Sequence, residues 1–150
     1  MVVVKFVNEP YKSESSIKNL INYAINKNNQ PIMFGGINVF PPTAVEQFTA
    51  VKRWFGKTEG YRQVRHIIVS FDCKQPVSLA EADLIARKIC EYYADRYQIL
   101  YGIHDDTDDL HIHIVLNTTS YVDGLLYSGA KEDFFKFKSH AERVVREVLN

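Results

Sequence analysis

Residues 104–117, HDDTDDLHIHIVLN, constrain the fold more than any other stretch of this chain. From 111 to 117 polar and aliphatic residues alternate, which is the period of a strand with one buried face. His111, His113, Val115 and Asn117 point one way, and Ile112, Ile114 and Leu116 the other. The aliphatic set requires a core, so both histidines belong to the opposite face. The acidic turn DDTDDL then folds the strand back on 98–104. If His104 lies opposite His111, Gly102 lies opposite His113, and cross-strand partners share a face. His104 thereby joins the other two histidines, and Gly102 leaves space beside them. Residues i and i+2 of a strand are roughly 7 Å apart, close enough for imidazoles to converge on one ion. Three neutral imidazoles on a rigid hairpin form a metal site with open coordination positions. Asp106, just past His104, is a candidate carboxylate to orient a ligand. Asp105, Asp108 and Asp109 are expected to solvate the turn.

The rest of the chain supplies more strands and several helices. Strands are expected at 2–7, 31–40 and 63–72, the last with Arg65, Ile67, Val69 and Phe71 on one face and His66, Ile68 and Ser70 on the other. Helices are expected at 13–27, at about 43–55, from Ser78 onward and at about 131–148. Ser78 and Glu81 have capping-box spacing, and Leu79, Ala82, Ile85, Ala86, Ile89, Tyr93 and Tyr97 form an apolar stripe. Neighbouring antiparallel strands with helices covering one face give an α+β two-layer fold. In it a sheet of about five antiparallel strands carries the helices on one face and the metal site on the other. With 150 residues and no internal repeat or linker, the chain reads as one domain, 1–150.

Composition narrows the setting. There is no apolar run of membrane-spanning length, the opening MVVVKFV reads as a first strand rather than a secretory leader, and Cys73 and Cys90 have no C-x-x-C spacing. A reducing, cytoplasmic setting is expected. Net charge is zero, with 18 basic and 18 acidic residues, which argues against gripping a long duplex through phosphates. The stretch 52–65, KRWFGKTEGYRQVR, is nonetheless locally basic. Tyr23 lies roughly 130° from the centre of its helix's apolar arc, among Ser16, Asn19 and Lys27, so it is not a core residue of that helix. His66 shares the polar face of its strand and could approach the site, although a structural role is the stronger expectation, and Trp54 and Phe55 are expected to pack beneath helix 43–55.

HDDTDDLHIHIVLN also resembles the H-x-D-x(4)-H-x-H-x(3)-N signature of plasmid mobilisation relaxases, the HUH (His-hydrophobe-His) endonucleases. His104, Asp106, His111, His113 and Asn117 stand at the pattern's spacing. HIIVSFD (66–72), SIKNLINYAINK (16–27) and TSYVDGLLY (119–127) resemble further blocks of that family. The resemblance implies strand-specific nicking and rejoining of DNA at a transfer origin, with Tyr23 as nucleophile and a 5′-phosphotyrosine adduct. It implies a divalent cation on His104, His111 and His113, Mg²⁺ or Mn²⁺ in function, with Zn²⁺, Ni²⁺ or Cu²⁺ also able to bind. It assigns Asp106 to tune a ligand or assist Tyr23, and Asn117 to orient a ligand or the backbone. Its partners are single-stranded DNA, relaxosome accessory proteins and a coupling protein. Lys27, Lys52, Arg53, Lys57, Arg62 and Arg65 are the candidate phosphate contacts, and the interleaved Trp54, Phe55 and Tyr61 are candidate stacking rings, with core packing the stronger expectation for Trp54 and Phe55. Two other readings remain: a DNA-binding or initiation factor with a structural metal, and a metal-dependent phosphoesterase acting on small nucleotides. Relaxases usually carry further domains, and a neutral charge suits a narrow groove for a short single strand.

Overall fold

The structure is a computed structural model that describes residues 2–26, 31, 33–72, 74–105 and 107–150. Lys27, Cys73 and Asp106 lie outside the described residues. The elements are β1 (Val2–Phe6), α1 (Glu14–Ile25), β2 (Met33–Ile37), α2 (Ala44–Trp54) and β3 (Val64–Phe71). They continue with α3 (Leu79–Cys90), β4 (Ile99–His104), β5 (His111–Asn117) and α4 (Lys131–Leu149). The five strands form one antiparallel sheet in the order β1-β3-β5-β4-β2. The fold is α+β as expected, and the β4–β5 register pairs His104 with His111 and Gly102 with His113.

Local signals account for most element boundaries. Ser78 and Glu81 complete a reciprocal capping box, satisfying two N–H groups that α3 would otherwise leave open. That helix ends at Cys90 and continues as a 3-10 turn, Glu91–Tyr93, so Tyr93 is buried from a turn rather than from a helix extending to Tyr97. At the end of α2, the Lys57 amide donates to the Lys52 carbonyl and the Gly56 amide to the Arg53 carbonyl. Gly56 has φ 68°, and this pair of bonds is the Schellman stop that only a left-handed residue permits cheaply.

Helices cover both faces of the sheet, which corrects the expectation of one covered face. On one side Ile67, Val69, Phe71, Ile112, Ile114 and Leu116 pack under α3 and α4. On the other, Val64, Leu100 and Val115 pack under Ile17, Leu20, Ile21 and Ala24 of α1 and Ala44 and Phe48 of α2. The physical reason lies on the histidine face itself. Val115 and Leu100 are direct cross-strand partners there, two residue pairs along the ladder from His113 and Gly102 and so on the same face. An apolar patch of that kind gains roughly 1.5–3 kcal/mol per large side chain when a helix covers it.

Lys52 sits on the inward stripe of α2, at i+4 from Phe48 and i+8 from Ala44. It is 1% exposed, and its ammonium donates to Thr119 Oγ1 at 3.1 Å and Thr118 Oγ1 at 3.4 Å. Among the described residues no carboxylate pairs with it, so burial pushes its pKa down from 10.5 to about 7. The folded pKa lies below the unfolded one, so the folded state is penalised wherever Lys52 must stay protonated. That penalty is complete below pH 7 and fades as pH rises from about 7 to 10.5. Lys52→Met is therefore expected to stabilise the fold at pH 7 by about 1–3 kcal/mol. It should also flatten the rise in stability between pH 7 and pH 10. Urea unfolding midpoints across that range measure both effects.

Candidate metal centre

The three histidines converge as the hairpin register requires. One ring nitrogen from each of His104, His111 and His113 lies within 4.8 Å of the others. Nitrogens bound to one ion at about 2.1 Å stand roughly 3–3.5 Å apart, so small side-chain rotations complete the site. Each ring also has a neighbour that orients it. His104 Nε2 donates to the Ala24 carbonyl at 2.9 Å, which also satisfies one of the open carbonyls at the C-terminal end of α1. His111 Nδ1 donates to the Asp109 carbonyl at 2.9 Å. Asp109, expected only to solvate the turn, thus orients a ligand through its backbone.

His113 is held differently. Its Nδ1 lies 2.9 Å from His66 Nε2, and His66 Nδ1 lies 3.3 Å from the Tyr11 hydroxyl. His113 Nε2 is buried and, among the described residues, without a hydrogen-bond partner. A buried polar atom left open costs stability unless a ligand takes it, so this nitrogen fits a cation. Burial, and then the neighbouring His66, His104 and His111, push the His113 pKa down to about 3. Burial, and then Lys5, push that of His66 down to about 4. Both rings are neutral at pH 7, the state in which imidazole binds metals. His66 thus lies beside the cluster, one of the two placements the sequence left open, and bonds directly to His113. The signal for it is its place on the same strand face as the others. Tyr11 carries no periodic signal, because it lies in a loop at φ 45°.

Tyr23 stands over this cluster. Its ring centroid is 4.9 Å from that of His113, edge to face, and 6.2 Å from that of His104, nearly parallel at 21°. His66 lies 6.2 Å away on the same side. The ring is 48% exposed, so it is both adjacent to the histidines and open to solvent. Gly102 makes that placement possible. A Cβ there would lie 1.9 Å from the Ala24 carbonyl oxygen, so only glycine lets the end of α1 rest on β4.

The other residues singled out in the sequence separate by position. Asn117 lies on the histidine face but does not bond to a histidine. Its amide donates to Gln98 Oε1 and the Phe48 carbonyl, and its Oδ1 accepts from the Thr119 amide. It holds the backbone where β5 leaves the sheet beneath α2. Lys52 is buried, as described, so it is no surface phosphate contact. Arg65 emerges on the opposite face, between the Phe6 and Tyr127 rings at 5.6 and 5.8 Å. Strand alternation dictates this, since Arg65 and His66 are adjacent. Arg53 is exposed beside Glu14, Lys57 lies over the Tyr61 ring, and Arg62 Nε donates to the Pro10 carbonyl. Trp54, expected in the core, is 83% exposed, whereas Phe55 packs against Gly124. Among the described residues no helix is long and apolar enough to cross a membrane.

Comparisons with known proteins bear on the family and the fold. The family model described as a MobA/VirD2-like relaxase nuclease domain matches residues 22–148. Protein rlx of Staphylococcus aureus is 25% identical over 120 residues, covering 80% of this chain and 35% of that protein. The chain thus spans about a third of the length of that relative. A solved structure described as the molecular basis of vancomycin resistance transfer in Staphylococcus aureus aligns at a TM-score of 0.68 and 12% identity. That alignment covers 99% of this chain and 92% of the other, a likeness of fold.

Proposed function

The chain belongs to the MobA/VirD2-like relaxase nuclease-domain family, and on that premise we propose that it is a metal-dependent, strand-specific DNA nicking and rejoining domain. The observation that carries this reading is the Tyr23 ring 4.9 Å from His113, above three histidines whose nitrogens converge. Residues 1–150 act as one nuclease domain on single-stranded DNA at a transfer origin. Relaxosome accessory proteins and a coupling protein are its expected partners in the cytoplasm.

His104, His111 and His113 would hold a divalent cation, Mg²⁺ or Mn²⁺ in function. Such a cation would supply Lewis-acid charge for a phosphodiester and lower the cost of ionising a phenol whose ordinary pKa is about 10. Tyr23 attacks the scissile phosphorus through Oη. The Oη–P bond forms as the P–O3′ bond breaks, the phenolic proton passes to a base, and the 3′ oxygen leaves to become a free 3′-OH. The product is a 5′-phosphotyrosine, and the reverse attack by a 3′-OH rejoins the strand. Asp106 is assigned as a partner of a ligand histidine or as the proton acceptor. His66 and Tyr11 orient His113, and Asn117 holds the backbone. Arg53, Lys57 and Arg62, with Lys27, are the phosphate contacts.

The test is covalent capture. Incubation of the protein with single-stranded origin DNA and Mn²⁺ is expected to give a denaturant-resistant protein–DNA adduct whose modified peptide contains Tyr23. Chelation before DNA is added should abolish the adduct, and Mn²⁺ should restore it. No adduct with any transfer origin would instead favour a DNA-binding factor that keeps its metal for structure.

A further inference from the structure

The end of α2 inverts the usual polarity of a helix. Lys52 is buried and Trp54, two residues on and about 200° around the axis, is 83% exposed. A helix optimised only for stability would place those two side chains the other way round. The Schellman stop at Gly56 and the seating of Phe55 on Gly124 fix this arrangement, so Trp54 is held outward rather than left loose. Its neighbours are cationic. Arg53 precedes it with a side chain 70% exposed, and Lys57 lies 5.3 Å above the half-exposed Tyr61 ring. The acidic groups nearby are Glu59 in the same loop and Glu14, which meets Arg53 at 3.6 Å with both side chains in water. An ion pair so exposed is weak and yields readily to a phosphate.

This surface is joined to the candidate metal centre. Arg62 Nε donates to the Pro10 carbonyl, the Gln63 amide donates to the Tyr11 carbonyl, and the Tyr11 hydroxyl meets His66. α1 runs alongside, from Glu14 beside Arg53 to Tyr23 over the histidines. The nine steps from Glu14 to Tyr23 span about 14 Å, or about four nucleotides of a stacked strand.

We propose that Trp54 and Tyr61, flanked by Arg53, Lys57 and Arg62, form a stacking platform for the single strand, about four nucleotides from the phosphate that faces Tyr23. Exposed rings provide a face for any base, and the cations follow the backbone, so the contact adds affinity without reading sequence. The proposal rests on the nicking function and adds to it the track along which the strand leaves the catalytic centre.

Trp54 is the only tryptophan of the chain, so its fluorescence reports on this surface alone. Titration with labelled oligothymidylates of increasing length is expected to quench Trp54 once the strand spans the distance from Tyr23. Affinity, read by anisotropy of the label, should rise at the same length. Trp54→Ala should lose that gain, weakening the longer oligonucleotides about tenfold or more, whereas Trp54→Phe keeps most of it and Trp54→Leu does not. Oligothymidylate that binds without changing Trp54 fluorescence, or equal affinities for Trp54→Ala and wild type at every length, overturns the platform. So does a change confined to self-association of the variants. Adduct formation by the wild-type protein on origin DNA, run in parallel, reports on nicking separately.

Discussion

Tyr23→Phe is expected to abolish the covalent adduct, lowering its rate of formation by more than about a thousandfold, because no other atom on that ring can displace the 3′ oxygen. The substitution removes one oxygen from a ring that is 48% exposed and leaves its contacts with His104 and His113 in place. Metal affinity, measured by titration calorimetry, and thermal stability should therefore stay close to wild type. That combination separates a lost nucleophile from a damaged site. An unchanged adduct in this variant would move the nucleophile elsewhere. The nearest alternative is Tyr11, whose hydroxyl already meets His66.

Gly102→Ala should damage the same chemistry from beneath. The added Cβ would lie 1.9 Å from the Ala24 carbonyl oxygen and 2.8 Å from its carbon, distances at which backbone must move. Either the end of α1 lifts from β4 or the β4–β5 hairpin bends. Both break the bond from His104 Nε2 to Ala24, and both carry Tyr23 away from the histidines. Overpacking of this kind costs about 1–3 kcal/mol, and the displaced helix end adds to it. The expected result is a lower unfolding midpoint together with an adduct rate reduced about a hundredfold or more, since an ångström of misplacement is costly in such reactions. A variant with wild-type adduct rate would show that the approach of α1 to Gly102 does not set the position of Tyr23.

Much of the sheet is legible in the sequence, because strand alternation and a short turn leave few choices. Once His111 and His113 share a face, pairing through DDTDDL brings His104 to them, and the observed register is the one so inferred. The capped start of α3 is legible for the same reason, since both partners of the box lie within four residues. The helices on the histidine face are less so. Val115 alternates with the histidines and is the available sign that this face also needs cover, but one valine does not say which helix supplies it. Residue type alone makes Lys52 a surface cation and Trp54 a core ring. The stripe Ala44, Phe48, Lys52 carries the opposite message.

The sequence by itself determined which residues could meet: three histidines on one strand face, a glycine beside them, and a tyrosine turned away from its own helix's core. Each follows from a local period or a hairpin. Only the tertiary structure decided that Tyr23 belongs above those histidines, because that contact joins residues about eighty positions apart. It depends on the packing of α1 across Gly102. The partnership of His66 with His113 and the outward Trp54 were decided in the same way. Periodicity assigns a side chain to a face, whereas packing decides what the face meets.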